Sequence, residues 1–413
     1  MQDTRYRIQD AEYFIMNQVS SEVTPKGFLF STVEAGIKKR GRKDLALIFS
    51  QTESAVAGTF TTNKIKAAPV KLDIEKIKSG RGQAIVINSG NANACTGERG
   101  MKDAINMTRL IADGLNIKPA LVYACSTGVI GKPMPMEKII PKISDLTENL
   151  GKSSIEDVAQ AIMTTDTFPK IVKRKVRIGS KTGIIAGICK GAGMIFPDMA
   201  TMLCLIMTDV AVNQKTLNKT LNDAVENSFN KITVDGDMST NDTAIIMANG
   251  MLGNPIITEK SESYTVFKNA LNEVAFGLSR LIVKDGEGAT KFIEVEVKGA
   301  KSEVDAEMAA FAVANSTLVK TSVYGGDANW GRIMAAIGYS GIAIKEEKID
   351  IYFGKVKVAS RGLTTGKEKE AGKVLKGDDI KVVVDLHLGG SSAKVLTCDL
   401  TEEYIRVNAA YRT

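Results

Sequence analysis

Short apolar runs rich in β-branched residues alternate with helical periodicities along the whole chain, and this restricts its fold more than any other feature. The runs LALIF (45–49), AIVIN (84–88), GIIAGIC (183–189), MLCLIM (202–207) and AIIMA (244–248) are too short for helices and read as strands. So do FIEVEVK (292–298), IDIYF (349–353) and IKVVVDLHL (380–388). FIEVEVK alternates strictly, which predicts a sheet with one face toward solvent. Leu217, Leu221, Val225 and Phe229 recur at four-residue steps, and Phe267, Leu271, Val274, Leu278 and Leu281 follow a 4-3-4-3 spacing. Both patterns are faces of helices packed on a sheet. The prediction is an α/β (α+β) fold of sheets packed with helices. No linker, repeat or low-complexity stretch divides its 413 residues.

The chemistry is restricted by a single histidine, His387. A zinc site built on several histidines is excluded, as is an HExxH motif. A Ser-His-Asp triad would have to use His387, which reads instead as a residue packed at the end of the strand KVVVDLHL. A base working near neutral pH therefore need not be an imidazole. Five scattered cysteines without a CxxC pair are read for the most part as small buried hydrophobes, not a disulfide framework. The net charge of +7 is modest, and the basic runs IKKRGRKD (37–44) and KIVKRKVR (170–177) lack interleaved aromatics. They read as solvated loop or strand faces, not a nucleic-acid surface. No stretch approaches the roughly 18–20 apolar residues of a membrane span. The start, MQDTRYRIQD, resembles neither a secretory signal nor a transit peptide, so a cytoplasmic protein is expected.

Four glycine-bearing polar segments follow strand candidates: NSGNANACTG (88–97), VDGDMSTNDT (234–243), KDGEGATK (284–291) and YGGDANWGR (324–332). Together they point to one loop-built site. The segment KGAGMIFPDMATML (190–203) offers a specific reaction. A bent, glycine-rich approach and the small Ala200 would let the Thr201 hydroxyl reach the Ala200 carbonyl. An N-to-O acyl shift followed by hydrolysis would leave a new N-terminal threonine. Its α-amine, with a reference pKa near 8, would serve as the missing base. On spacing alone, a glycine-rich turn entering a buried strand accounts for the same residues.

KGAGMIFPDMATML closely resembles the cleavage motif of the ornithine acetyltransferase family, the bifunctional glutamate N-acetyltransferases of arginine biosynthesis. NSGNANACTG, ACSTGVIG (124–131), VDGDMSTNDT, DGEGATKF (285–292), VANSTLVKT (313–321), GDANWGRIMAAIGYSG (326–341) and VNAAYRT are similar to that family's landmarks in the same order, so the resemblance covers the whole chain. Phe196 and Asp198 depart from its usual residues.

The resemblance implies a self-processing, N-terminal-nucleophile-type architecture. Cleavage between Ala200 and Thr201 would give chains 1–200 and 201–413, which remain together as an α2β2 heterotetramer. It implies Thr201 as nucleophile and Thr127 with Gly128 as an oxyanion hole. Thr164, Lys190, Thr201, Glu287, Asn408 and Thr413 are the implied substrate-binding residues. An ammonium such as Lys190 suits the α-carboxylate of an N-acetylated amino acid, and a carboxylate such as Glu287 suits the acceptor's ammonium. The implied reaction carries acetyl from N-acetylornithine to glutamate through an acetyl-threonine, with no metal or prosthetic group and with acetyl-CoA as a possible second donor. Two readings compete: a similar hydrolase that passes the acyl group to water, and a non-catalytic binding protein whose chain stays intact.

Overall fold

The computed structural model describes residues 23–38, 41–196 and 202–410. The expected cleavage pair Ala200 and Thr201, together with Asp198 and Thr413, lies outside the described residues. Two mixed sheets organise the chain, each covered by helices, so the α/β expectation holds.

The first sheet has eight strands: β1 (Phe28–Val33), β2 (Leu45–Phe60), β3 (Arg81–Asn91), β4 (Val122–Val129), β5 (Lys170–Ile178), β6 (Lys181–Lys190), β7 (Leu203–Thr208) and β8 (Thr243–Ala248). Their order is β4-β3-β2-β8-β7-β6-β5, with β1 paired to β2. The central pair β7 and β8 is parallel and every residue in it is buried. This is why both read as unbroken apolar runs. Alternate side chains go to opposite faces. Cys204, Ile206, Ala244 and Ile246 meet the helices Gln214–Glu226 and Tyr264–Lys284 through Leu217, Leu221, Phe267, Leu271, Val274 and Leu278. Leu203, Leu205, Ile245 and Met247 face the helix Ile155–Ala161. Each such large side chain stabilises the fold by about 1.5–3 kcal/mol on burial. The helix Gln214–Glu226 starts where Asn213 accepts from the N–H groups of Lys215 and Thr216. It stops before Phe229, which is buried in a following 3₁₀ turn and so does not extend the predicted helix.

The second sheet contains β9 (Phe292–Ala300), β10 (Asp350–Phe353), β11 (Val356–Ser360), β12 (Leu363–Thr364), β13 (Asp379–Asp385) and β14 (Ser391–Cys398), in the order β12-β11-β10-β13-β9-β14. Val295 and Val297 of β9 enter the core, while Glu294 and Glu296 pair with Lys381 at 3.1 and 2.7 Å on the outer face. The predicted two-faced strand is therefore present. His387 lies just past β13, half exposed, with its ring between Asp350 and Asp385 at 3.3 and 3.4 Å. Among the described residues its polar contacts contain no hydroxyl nucleophile.

The second basic run departs from expectation. KIVKRKVR is strand β5, but Lys170, Lys173 and Arg174 are buried and only Lys175 and Arg177 are exposed. Lys173 pairs with Glu156 at 3.0 Å and Arg174 with Glu273 at 2.9 Å. These charges are buried because acids on neighbouring helices meet them. No helix among the described residues is long and apolar enough to cross a membrane.

Candidate active site

The strands β6 and β7 are antiparallel neighbours, and Lys190, the last residue of β6, stands opposite Leu203, the first of β7. The connection between them must leave the sheet and return to its starting point. Its described residues are held one by one. The N–H of Gly191 donates to Asp166 Oδ1 at 2.7 Å, and Ala192 O accepts from the N–H of Glu287 at 2.8 Å. The N–H groups of Met194 and Ile195 donate to the two Asp235 oxygens at 2.6 and 2.9 Å. Gly191 and Met194 have φ of +150° and +57°. A positive φ is uncommon for a non-glycine residue such as Met194, and here the Asp235 anchor offsets its cost. Phe196 sets its ring 6.2 Å from that of Phe311, so a residue at which the chain departs from the family pattern serves as a packing contact.

Beneath this turn lies a buried charge cluster. Asp166 Oδ1 takes Lys170 Nζ at 2.6 Å and its Oδ2 takes the N–H of Thr164 at 2.9 Å. Lys170, with 0% of its side chain exposed, also bonds Asp285, which accepts from the N–H and hydroxyl of Thr167. Burial alone would raise the Asp166 carboxyl, but Lys190, Lys170 and the Gly191 N–H together hold it well below the usual carboxylate range. Lys190 is 3% exposed and forms no ion pair among the described residues. Burial pushes its ammonium below the ordinary lysine range, against the opposing pull of Asp166, Glu287 and Asp242. A cation in that condition gains most from an incoming carboxylate.

The loop 36–38 belongs to the same neighbourhood. Lys38 Nζ donates to the carbonyls of Ala161 and Met163 at 2.8 and 2.6 Å, which fixes the approach to Thr164. Burial brings the Lys38 amine down to about 8 against the pull of Asp44, with Lys190 and Arg42 lowering it further. At this position the first basic run is therefore not a solvated face.

Thr127 and Gly128 end β4 beside Gly90 of β3. Gly128 has φ +133°, and an added Cβ would sit 2.3 Å from the Gly90 carbonyl carbon and 2.5 Å from the Asn91 nitrogen. Only glycine fits this approach of two backbones. Thr127 is 4% exposed, and its hydroxyl makes no hydrogen bond to another described residue. Asn241 Nδ2 donates to Ser126 O at 2.8 Å and to Ala92 O at 2.7 Å. The next residue, Asp242, accepts the N–H of Met202 at 3.0 Å. One dipeptide thus ties the Thr127 end of β4 to the start of β7.

Glu287 follows the helix Tyr264–Lys284, and its carboxylate accepts from Asn408 Nδ2 at 2.8 Å. An added Cβ on Gly193 would fall 2.4 Å from that carboxylate, so the turn and Glu287 are shaped to each other. Asn408 is exposed on the helix Glu402–Ala409, which Tyr404 anchors by donating to Asp235 at 3.2 Å. The structure therefore gathers Thr164, Lys190, Glu287 and Asn408 around the turn after β6, and ties the β4 end that carries Thr127 and Gly128 through Asn241 and Asp242 to Met202. Three of the four glycine-bearing segments contribute to this site. The fourth, YGGDANWGR, does not: it caps the helix Trp330–Gly338, and Trp330 Nε1 donates to Glu368 at 3.1 Å. Asp166, Asp235 and Asp242 hold the site and were not singled out in the sequence. Their only signal was position, the last two lying in VDGDMSTNDT and Asp166 four residues before a lysine.

A model of the ArgJ family matches residues 29–413. The arginine biosynthesis bifunctional protein ArgJ of Geobacter sulfurreducens is 55% identical over 390 residues, covering 94% of this chain and 99% of that protein. The protein of the same name from Caldanaerobacter subterraneus subsp. tengcongensis is 51% identical over 394 residues, covering 94% and 98%. The crystal structure of arginine biosynthesis bifunctional protein ArgJ from Bacillus halodurans is 44% identical, covers 50% of this chain and 98% of that one, and superposes with a TM-score of 0.49.

Proposed function

The chain belongs to the ArgJ family and is an acetyltransferase of arginine biosynthesis, and from that premise we propose that it moves acetyl from N2-acetyl-L-ornithine to L-glutamate through an ester on Thr201. In the precursor, the Thr201 hydroxyl attacks the Ala200 carbonyl. The acyl group passes from nitrogen to oxygen, and water releases Ala200 as a carboxylate and Thr201 with a free α-amine. That amine then takes the hydroxyl proton as Thr201 attacks the acetyl carbonyl of N-acetylornithine. The Thr127 hydroxyl and the Gly128 N–H receive the developing oxyanion. Ornithine leaves with the proton, glutamate attacks the ester, and N-acetylglutamate departs, giving ping-pong kinetics. Lys190 receives the substrate α-carboxylate, Glu287 with Asn408 the amino group, and Thr164 and Thr413 complete the pocket. Acetyl-CoA is a second donor under this reading, tested by N-acetylglutamate formation without acetylornithine. The two cleavage products stay together as an α2β2 assembly, measurable by native mass.

The observation that most supports this reading is the Asn241–Asp242 link, which joins the chain beside Thr127 to the backbone N–H of Met202, the residue after the proposed nucleophile. Two substitutions test it. Thr127→Ala should lower kcat by about 10²–10³-fold, the usual loss for one oxyanion donor, with little change in KM. Lys190→Met should raise KM for acetylornithine roughly 10–150-fold, since a charge-assisted hydrogen bond contributes about 1.5–3 kcal/mol. An unchanged kcat in the first, or an unchanged KM in the second, removes that residue's role. Measuring acetylglutamate against free acetate in the same assay separates transfer from hydrolysis.

A further inference from the structure

The donor and acceptor of the proposed transfer differ by one anionic group. N-acetylornithine brings a single carboxylate to the site, and glutamate brings two. Lys190 answers the α-carboxylate that both share, and Lys170 is already spent on Asp166 and Asp285. The side-chain carboxylate of glutamate needs a second cation, because a charge taken out of water without a partner is costly. Lys38 is a cation of this neighbourhood that forms no ion pair among the described residues.

Lys38 is fixed from its backbone outward. Asp44, 1% exposed, accepts the N–H groups of Ala35, Ile37 and Lys38 at 2.7, 2.6 and 2.9 Å. The Lys38 stem then runs over Gly90, where an added Cβ would meet its Cγ at 3.1 Å. Gly90 is the partner of Gly128 across β3 and β4, so the stem crosses the strand ends that carry the implied oxyanion hole. At the tip, Nζ donates to Ala161 O and Met163 O, and Ser89 Oγ donates to the same Ala161 O at 2.6 Å. An ammonium has three N–H donors, and these bonds use two of them. The third has no partner among the described residues, and the half-buried residue is not sealed from solvent. Met163 O and the Thr164 nitrogen belong to one peptide group, so Nζ lies no more than about 5 Å from that nitrogen. The Thr164 N–H in turn bonds Asp166, whose other oxygen takes the Gly191 N–H next to Lys190. Lys38 and Lys190 thus stand at the two ends of one hydrogen-bonded chain. Burial first, and Lys190 after it, weaken the Lys38 ammonium against the pull of Asp44, and an incoming carboxylate acts in the opposite sense.

We propose that Lys38 is a specificity-determining residue: its third N–H receives the side-chain carboxylate of the acceptor glutamate while Lys190 receives the α-carboxylate. The inference rests on the acetyl-transfer reading given above. Lys38 takes no part in bond making; it sorts acceptors. Glutamine has the length of glutamate with a neutral amide in place of the carboxylate, so it isolates this contact. The ornithine side chain is cationic and is repelled by Lys38, so acetyl exchange between ornithine and N-acetylornithine draws nothing from it.

The test measures kcat/KM for acetyl transfer to glutamate and to glutamine, and the exchange of labelled ornithine into N-acetylornithine, in wild type and Lys38→Gln. Exchange needs only the first half of the ping-pong cycle and reports whatever Lys38 does by clamping Ala161 and Met163. Wild type should favour glutamate, and the glutamate-to-glutamine ratio of the variant should fall roughly tenfold or more, the loss of one charge-assisted hydrogen bond. Exchange should fall by much less, and Lys38→Arg, which keeps the charge, should restore most of the ratio. A residue that only clamps the backbone lowers exchange and both transfers together and leaves the ratio unmoved, and that result overturns the proposal. If the glutamine variant does not fold, as thermal unfolding will show, Lys38→Met is read in the same way. A wild type that uses glutamine as well as glutamate overturns the proposal without any variant. A wild type that neither exchanges nor transfers acetyl fails the acetyl-transfer reading itself, and this proposal with it, which is a separate outcome.

Discussion

Thr201→Ala is expected to yield one uncut chain with no measurable acetyl transfer, beside a wild type that separates into two pieces under denaturing conditions. Intact-mass spectrometry gives the result directly, since the second wild-type piece must begin at Thr201. Loss of a nucleophile that works as a unit with its base costs on the order of 10⁴-fold or more in rate. The alanine chain should still fold, because the strands on either side are buried independently of residue 201. A wild type that transfers acetyl while uncut would remove the α-amine as the base. An uncut and inactive wild type would return the chain to the binding-protein reading.

Lys170→Met should have the largest effect on stability. Lys170 is the shared cation of Asp166 and Asp285 in a setting closed to water. Removing it leaves two buried carboxylates facing each other, and breaking such a pair on one side costs about 3–5 kcal/mol. The denaturant midpoint should fall accordingly, with the slope unchanged. Activity should fall as well, because Asp166 also holds Thr164 and the Gly191 N–H. The pH dependence has a definite sign. The folded Asp166 pKa is depressed, so its contribution is fully present above the unfolded value of about 4 and is lost as pH falls through the lower folded one. The wild type should hold this contribution through mildly acidic pH, and Asp166→Asn should not show it. Denaturation curves at pH 7 and below pH 4 would check both.

Much of the architecture was legible because burial on two faces writes itself as an apolar run, as in β7 and β8, and burial on one face as alternation, as in β9. Strand β5 was hidden for the converse reason. Its inward positions carry lysine and arginine, whose partners Glu156, Glu273 and Asp285 come from distant parts of the chain. Periodicity cannot report such pairing. The site divides along the same line. Thr127, Gly128, Lys190 and Glu287 stand in recognisable motifs with an evident chemical task, whereas Asp166 looks like an ordinary surface acid, and Asp235 and Asp242 lie in VDGDMSTNDT with nothing in the sequence to say what they hold. Their importance comes from which backbone N–H each one meets, and only the folded chain settles that. The expectation that YGGDANWGR joins the site failed because Asn329 and Trp330 are occupied in capping a helix and bonding Glu368.

The pairing of Lys190 with Leu203 has a consequence for the order of events in the life of the molecule. In an uncut chain, β6 and β7 find each other across a short connection. If the chain cuts itself as proposed, they become ends of separate polypeptides, and the same pairing becomes an encounter between two molecules. Assembly would then be first order for the precursor and second order for the processed protein. Under that proposal, processed protein that has been unfolded should recover in proportion to its concentration, and the uncut Thr201→Ala chain should recover independently of it. Cutting would thus set a one-way ratchet, in which the sheet is built while folding is unimolecular and is then kept by the stability of the finished core.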